Sequence, residues 1–388
     1  MKRESGKDGI SRRQLLKRTG IGAGIMALSN ISIAKSGQQE KLEKHDAVLQ
    51  NRIRKIDFYA HFSFVRLIDF LEKSGGPRPH VFRQLFSNTP TLIDLDQRLR
   101  HMDKYGIEAD VLVPLPWLET APSVHADPKL AAKAAKIFNG DLAKVVSRYP
   151  DRFFGVALLP TTNPEVMMSE FESAVKDLGF AGGVIAVGPT VKRPDHKDYE
   201  PLYRRAVELD VPLWLHPSRP LNYPDYIDEK VSKYQVWQGF GWLMDSSTAM
   251  VRIVFSGIFQ RYPNLKLVIH HHGALVPLFA KRLESGWDFF EHSGGVKEAT
   301  QILRPYINHF KNFYCDTATQ GFEPLLLQLA YEFFGVDHIL FGTDTPMDAK
   351  AGGVHTPETD RCVRALNISE ADKKKIYNSN ALRLLKRT

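Results

Sequence analysis

Apolar residues recur along the chain in two alternating rhythms. Short β-rich runs, dominated by Val, Ile, Leu and aromatic residues, are separated by longer segments with helical spacing. Eight candidate strands follow in order: Ile53–Phe58, Ala109–Val113, Phe153–Leu158, Gly182–Val187, Pro212–His216, Lys266–His271, Asn312–Cys315 and His338–Phe341. Helical periodicity marks Pro128–Tyr149, Pro164–Leu178, Tyr199–Leu209, Ser246–Arg261 and Glu323–Phe334 between them. Strand and helix in strict alternation predict a parallel sheet. Eight repeats without a glycine-rich phosphate loop after the first strand favour a (β/α)8 TIM barrel over an open doubly wound sheet. The two longest non-periodic stretches, Ser63–Asp94 and Pro217–Ser246, follow strands one and five and read as insertions over the barrel mouth.

Several strand-like runs end on a polar residue able to bind a cation. His61 closes Lys55-Ile56-Asp57-Phe58-Tyr59-Ala60, His216 closes Leu213-Trp214-Leu215, and Asp344 follows Ile339-Leu340-Phe341-Gly342-Thr343. The carboxyl ends of barrel strands open onto one face, so these distant residues converge there. A single histidine at such a place could equally be a hydrogen-bonded core residue. A carboxylate emerging from a buried strand is harder to dismiss, because it needs a cation or histidinium to offset its desolvation. In His270-His271-His272, strand alternation lets only one parity look into the mouth, and His271 is the choice.

The bulk numbers exclude little. The 388 residues, 43% hydrophobic and 25% charged, suit a soluble globular protein of one large or two ordinary domains. Of the formal charge of +8, residues 1–34 carry +5, through Lys2, Arg3, Lys7, Arg12, Arg13, Lys17 and Arg18 set against Glu4 and Asp8. The rest is only mildly basic, and no run of basic residues interleaved with aromatics points to nucleic acid. Ser11-Arg12-Arg13-Gln14-Leu15-Leu16-Lys17, a moderately apolar Thr19 to Ala34 and a small-residue end at Ser32-Ile33-Ala34 resemble a twin-arginine export signal. The expectation is a signal peptide over 1–34, a polar tether over 35–51 and a barrel over 52–388, exported to the periplasm by the twin-arginine machinery. The apolar stretch falls short of the ~20 residues a membrane span needs, so no anchor is expected. Cys315 and Cys362 make no disulfide framework and read as structural thiols.

Nine fragments in order carry a resemblance. They include Ile56-Asp57-x-x-x-His61, Met102-Asp103-Lys104-Tyr105-Gly106-Ile107, Pro212-x-x-x-His216-Pro217, His271-x-Gly273 and Phe341-Gly342-Thr343-Asp344-x-Pro346. From Lys55 to Leu385 the chain resembles the amidohydrolase-related family that includes aminocarboxymuconate-semialdehyde decarboxylase and the metal-dependent hydroxybenzoate decarboxylases. The resemblance implies a divalent metal, Zn²⁺ with Mn²⁺ as the alternative, held by His61, His216 and Asp344. It implies His271 as acid/base beside the metal, with Asp344 also catalytic, and a homodimer in which Arg282 reaches across to a substrate carboxylate. In the family the residue two before His61 is histidine or glutamate, and here it is Tyr59. Tyr59 stands either as a phenolate ligand or as a hydrogen-bond donor to substrate. The donor role is favoured, because phenolate must form against a pKa near ~10. Arg219 could grip a carboxylate in forked geometry, and Trp237 could line an aromatic substrate's site.

The reading that follows is non-oxidative decarboxylation of a small carboxylated aromatic or unsaturated acid. Hydrolysis of an amide, ester or lactone by the same atoms is the alternative, and a non-catalytic binding barrel the third.

Overall fold

Eight parallel strands run in the order β1 to β8, each paired with the next. They are β1 Lys55–His61, β2 Ile107–Val113, β3 Phe153–Leu158, β4 Gly182–Val187, β5 Leu213–Pro217, β6 Leu267–Ile269, β7 Tyr314–Asp316 and β8 Ile339–Leu340. The structure is a computed structural model and describes residues 54–75, 79–294, 302–318 and 322–387. The expected leader and tether, 1–51, lie outside the described residues.

The ring closes between β8 and β1 through backbone hydrogen bonds. Phe58 N–H donates to Phe341 C=O at 2.7 Å, Asp344 N–H to Tyr59 C=O at 2.9 Å and His61 N–H to Thr345 C=O at 2.7 Å. This is the (β/α)8 barrel expected from the alternation of strand and helix.

Because both faces of a barrel strand are covered, its apolar residues run almost without interruption. One set, including Phe58, Val111, Val156, Val184, Trp214, Val268 and Leu340, fills the barrel interior. Trp214 is fully buried, stacks on Phe58 at 5.2 Å between centroids and donates its indole N–H to the Phe58 carbonyl at 3.2 Å. A larger set packs the outer strand faces against the helices. Both cysteines are buried and free.

Charged residues inside the strands all find partners. Lys55 Nζ lies 3.1 Å from Asp360, and Asp57 accepts from the Thr343 amide at 3.0 Å and from its hydroxyl at 2.5 Å. Helix Leu95–Tyr105 starts where the Asp94 side chain caps the Gln97 amide and stops at Gly106, whose φ of 67° ends it in the left-handed region. Its Arg98 is fully buried. It donates to the carbonyls of Thr91 and His61 and pairs with Asp110 at 3.4 Å.

The stretch 63–94 is more regular than its sequence suggests, holding helices Val65–Lys73 and Pro79–Asn88 and a 3-10 turn Pro90–Leu92. The helix expected over Ser246–Arg261 begins earlier, at Trp242, and breaks after Phe255, where Gly257 takes φ 75° before a short turn Ile258–Arg261. Among the described residues no helix is long and apolar enough to cross a membrane.

Candidate metal centre

The carboxyl ends of β1, β5, β6 and β8 bring His61, His216, His270, His271 and Asp344 into one buried cluster. His61 and His216 stand 5.2 Å apart between ring centroids, and His216 and His270 6.1 Å. Each of the two expected histidine ligands has its Nδ1 against a backbone carbonyl. His61 Nδ1 is 2.7 Å from Val113 O, and His216 Nδ1 is 2.7 Å from Pro217 O. A carbonyl only accepts, so the proton sits on Nδ1 and leaves each Nε2 with a lone pair.

The His61 lone pair meets a carboxylate. Asp344 Oδ1 is 3.0 Å from His61 Nε2 and 3.5 Å from His270 Nε2, and neither nitrogen makes a well-directed hydrogen bond. Facing acceptors at that range repel unless a proton or a cation lies among them. A proton on His270 answers part of that repulsion, and the donor set also suits a divalent cation, imidazole and carboxylate being the usual ligands of Zn²⁺ and Mn²⁺.

The backbone is bent to deliver these groups. Asp344, His271 and His272 hold left-handed φ of 59°, 60° and 56°. Gly342, two residues before Asp344, is required by proximity, since a Cβ there would fall 2.8 Å from Asp316 Cβ and 3.0 Å from Tyr59 Cβ. The left-handed turn also overturns the parity expected of β6. The strand ends at Ile269, so alternation no longer governs the next residues, and His270 and His271 both face the centre. His272 turns away, its Nε2 2.9 Å from Thr317 O.

Charge in the cluster is strongly coupled. Burial opposes ionisation of Asp344, yet hydrogen bonding and charge from His270 and His61 hold it well below the ordinary carboxylate range. Burial, reinforced by His61 and His270, pushes His216 down to about 3. Burial and the charge of His270 likewise keep His271 well below the usual imidazole value. Burial opposes a cationic His270 too, but Asp316 and Asp344 outweigh it and raise this ring to about 9.

The remaining predicted residues are placed differently from one another. Tyr59 is fully buried; its hydroxyl points to the Leu215 carbonyl at 3.4 Å, and burial with Asp316 and Asp344 nearby raises its pKa well above 10. The hydroxyl is thus engaged with a backbone acceptor, and forming a phenolate there works against burial. Arg219 is not a free fork, because its Nε and Nη2 bind Asp245 at 3.1 and 2.6 Å, a buried carboxylate that needs a partner. Trp237 packs edge-on against Trp242 at 5.2 Å, and Trp242 in turn stands 6.3 Å from His216, so Trp237 is one ring removed from the centre. Tyr226, Tyr234 and Phe240 of the same insertion are exposed. Arg282 stands exposed on helix Val276–His292.

Three groups were not foreseen. His270 was assigned to the wrong face, and Asp316 lies one residue beyond the predicted seventh strand, at the same kind of strand end that marked the others. Glu119 shares with His216 a recess lined by Pro114, Leu115, Leu158 and Ala186, and burial raises its carboxyl to about 7. Its loop carries no periodic pattern to mark it.

Imidazole and carboxylate donors buried at the carboxyl ends of a (β/α)8 barrel define a metal-binding barrel of the amidohydrolase type. The chain belongs to the amidohydrolase family, whose sequence pattern matches residues 95–387. It is similar to a gamma-resorcylate decarboxylase of Rhizobium radiobacter, 31% identical over 86% of this chain and 98% of that protein. The dihydroxybenzoic acid decarboxylase of Polaromonas sp. JS666, solved with manganese and the inhibitor 2-nitroresorcinol, is 29% identical. It aligns with a TM-score of 0.66 over 86% of this chain and 97% of its own. The 5-carboxyvanillate decarboxylase of Sphingomonas paucimobilis, 24% identical, shares the fold with a TM-score of 0.73 over 87% and 100% of the two chains.

Proposed function

We propose that the protein is a metal-dependent, non-oxidative decarboxylase of a small hydroxylated aromatic acid. The observation that carries this reading is the gathering of His61, His216 and Asp344 in one buried cluster with His271 beside it, in a chain 31% identical to gamma-resorcylate decarboxylases. His61, His216 and Asp344 would hold the ion, which would supply Lewis-acid withdrawal of negative charge from an acidic substrate.

In the net reaction an aromatic carboxylate and a proton give the arene and CO₂. The ring–carboxyl bond breaks, its electron pair stays on the ring carbon, and a proton arrives there. His271 is the group we assign to that transfer. Its Nδ1 and Nε2 are buried and, among the described residues, without a hydrogen-bond partner, which leaves either nitrogen available to carry the transferred proton. Asp344 keeps its charge throughout. Leu115, Leu158 and Ala186 line a small recess beside His216, with Glu119 as a polar group at its edge. Arg282, exposed on its helix, is the candidate to grip a carboxylate in a neighbouring copy of a homodimer, while Arg219 stiffens the insertion through Asp245.

Two imidazoles and a carboxylate suit Zn²⁺, and the manganese in the Polaromonas enzyme makes Mn²⁺ its rival. The paired arginines Arg12 and Arg13 support twin-arginine export of the folded, metal-loaded barrel to the periplasm.

The purified protein, loaded in turn with Mn²⁺ and Zn²⁺ and given 2,6-dihydroxybenzoate and related hydroxybenzoates, is expected to release CO₂ with one arene formed per acid consumed. Hydrolysis of aryl amides or lactones without CO₂ release, or ligand binding without turnover, would defeat the reading.

A further inference from the structure

The family resemblance leaves one ligand position unaccounted for. It is the residue two before His61, where Tyr59 is buried with its hydroxyl turned to the Leu215 carbonyl. The imidazole of His270 lies flat on the Tyr59 ring, 3.7 Å between centroids and 9° between planes. The side chain that displaces the usual ligand therefore also forms the wall against which another donor rests.

His270 is built as metal-binding histidines are built. Its Nδ1 is 2.5 Å from Asp316 Oδ2, so a carboxylate holds the Nδ1 proton and fixes the tautomer. Its Nε2 is buried, lacks a hydrogen-bond partner and points to Asp344 Oδ1 at 3.5 Å. Asp316 is itself anchored, its Oδ1 accepting from the amides of His271 at 3.1 Å and Ala318 at 2.9 Å. Donor atoms of His270, His271 and Asp344 all lie within 4.8 Å of one another. His271 has neither ring nitrogen tied, as befits a group that must exchange its proton, whereas His270 is oriented by a carboxylate.

We propose that His270 is the fourth protein ligand of the metal centre, supplying from the end of β6 the donor that Tyr59 cannot supply from β1. Asp316 is its positioning residue and Tyr59 its stacking platform. The inference rests on the reading that His61, His216 and Asp344 hold a divalent ion.

Metal affinity, measured by chelator competition on the full folded protein, tests it. His270→Ala is expected to weaken Mn²⁺ and Zn²⁺ binding by about 100-fold or more, and Asp316→Asn by roughly 10–100-fold, the usual cost of an outer partner. His271→Ala should keep near-wild-type affinity. His270→Cys loaded with Co²⁺ should gain a thiolate-to-cobalt charge-transfer absorption absent from wild type, a signature that only direct ligation produces. Wild-type affinity in His270→Ala, or a folded His270→Cys cobalt form without that band, overturns the proposal. Either result leaves the decarboxylase reading standing, whereas a wild-type protein that takes up no divalent ion defeats both.

Discussion

Asp344 combines two burdens, a buried charge and a left-handed backbone at φ 59°. The backbone term costs a non-glycine residue on the order of 1–3 kcal/mol, though aspartate and asparagine bear it better than most. Asp344→Asn should therefore fold with a melting temperature close to that of the metal-free parent, yet lose bound metal and turnover together, which calorimetry with elemental analysis would check. Glu119 presents the opposite electrostatic case. Its folded-state pKa of about 7 lies above the ordinary 4.5, so the folded protein holds a proton that the unfolded chain releases first. Its contribution to stability is full below pH 4.5 and is lost as pH rises through 7. Glu119→Gln should flatten that stretch of the melting-temperature profile and leave the protein more stable than the parent above pH 7.

Elements explain why some of these residues could be read from sequence and others could not. His61, His216 and Asp344 were legible because each closes an apolar run, and a buried parallel strand announces itself by such a run. His270 was misread because alternation applies only within a strand, and β6 stops one residue before it. The helices in 63–94 are harder to read for a different reason, each being short, and Gly75-Gly76-Pro77 between them marking a break in the sequence. Helix Leu95–Tyr105 shows what a sequence pattern cannot convey. Arg98, on a helix otherwise read for its motif, enters the protein interior to hold Asp110 and the His61 carbonyl. Arg98→Met should destabilise the fold by about 3–5 kcal/mol in denaturant unfolding, since Asp110 is left buried without its cation. It should also lower metal affinity by freeing the carbonyl end of the His61 segment.

At the scale of the whole molecule, eight alternating units announced the barrel, but the ring's closure could not be read, because the residues that close it are almost three hundred positions apart. An ion bound only by the folded barrel stabilises it by mass action, about 2.7 kcal/mol at a free concentration 100 times Kd. Mn²⁺ or Zn²⁺ should therefore raise the melting temperature in a concentration-dependent way, and a chelator should reverse the rise. The closure carries a kinetic consequence as well. The amides of Asp344 and His61 are themselves donors in the bonds that join β8 to β1. If His61 and Asp344 hold an ion, an opening of the β8–β1 seam that releases it also exposes these two amides to deuterium. Their exchange rates become a clock for the lifetime of the loaded state.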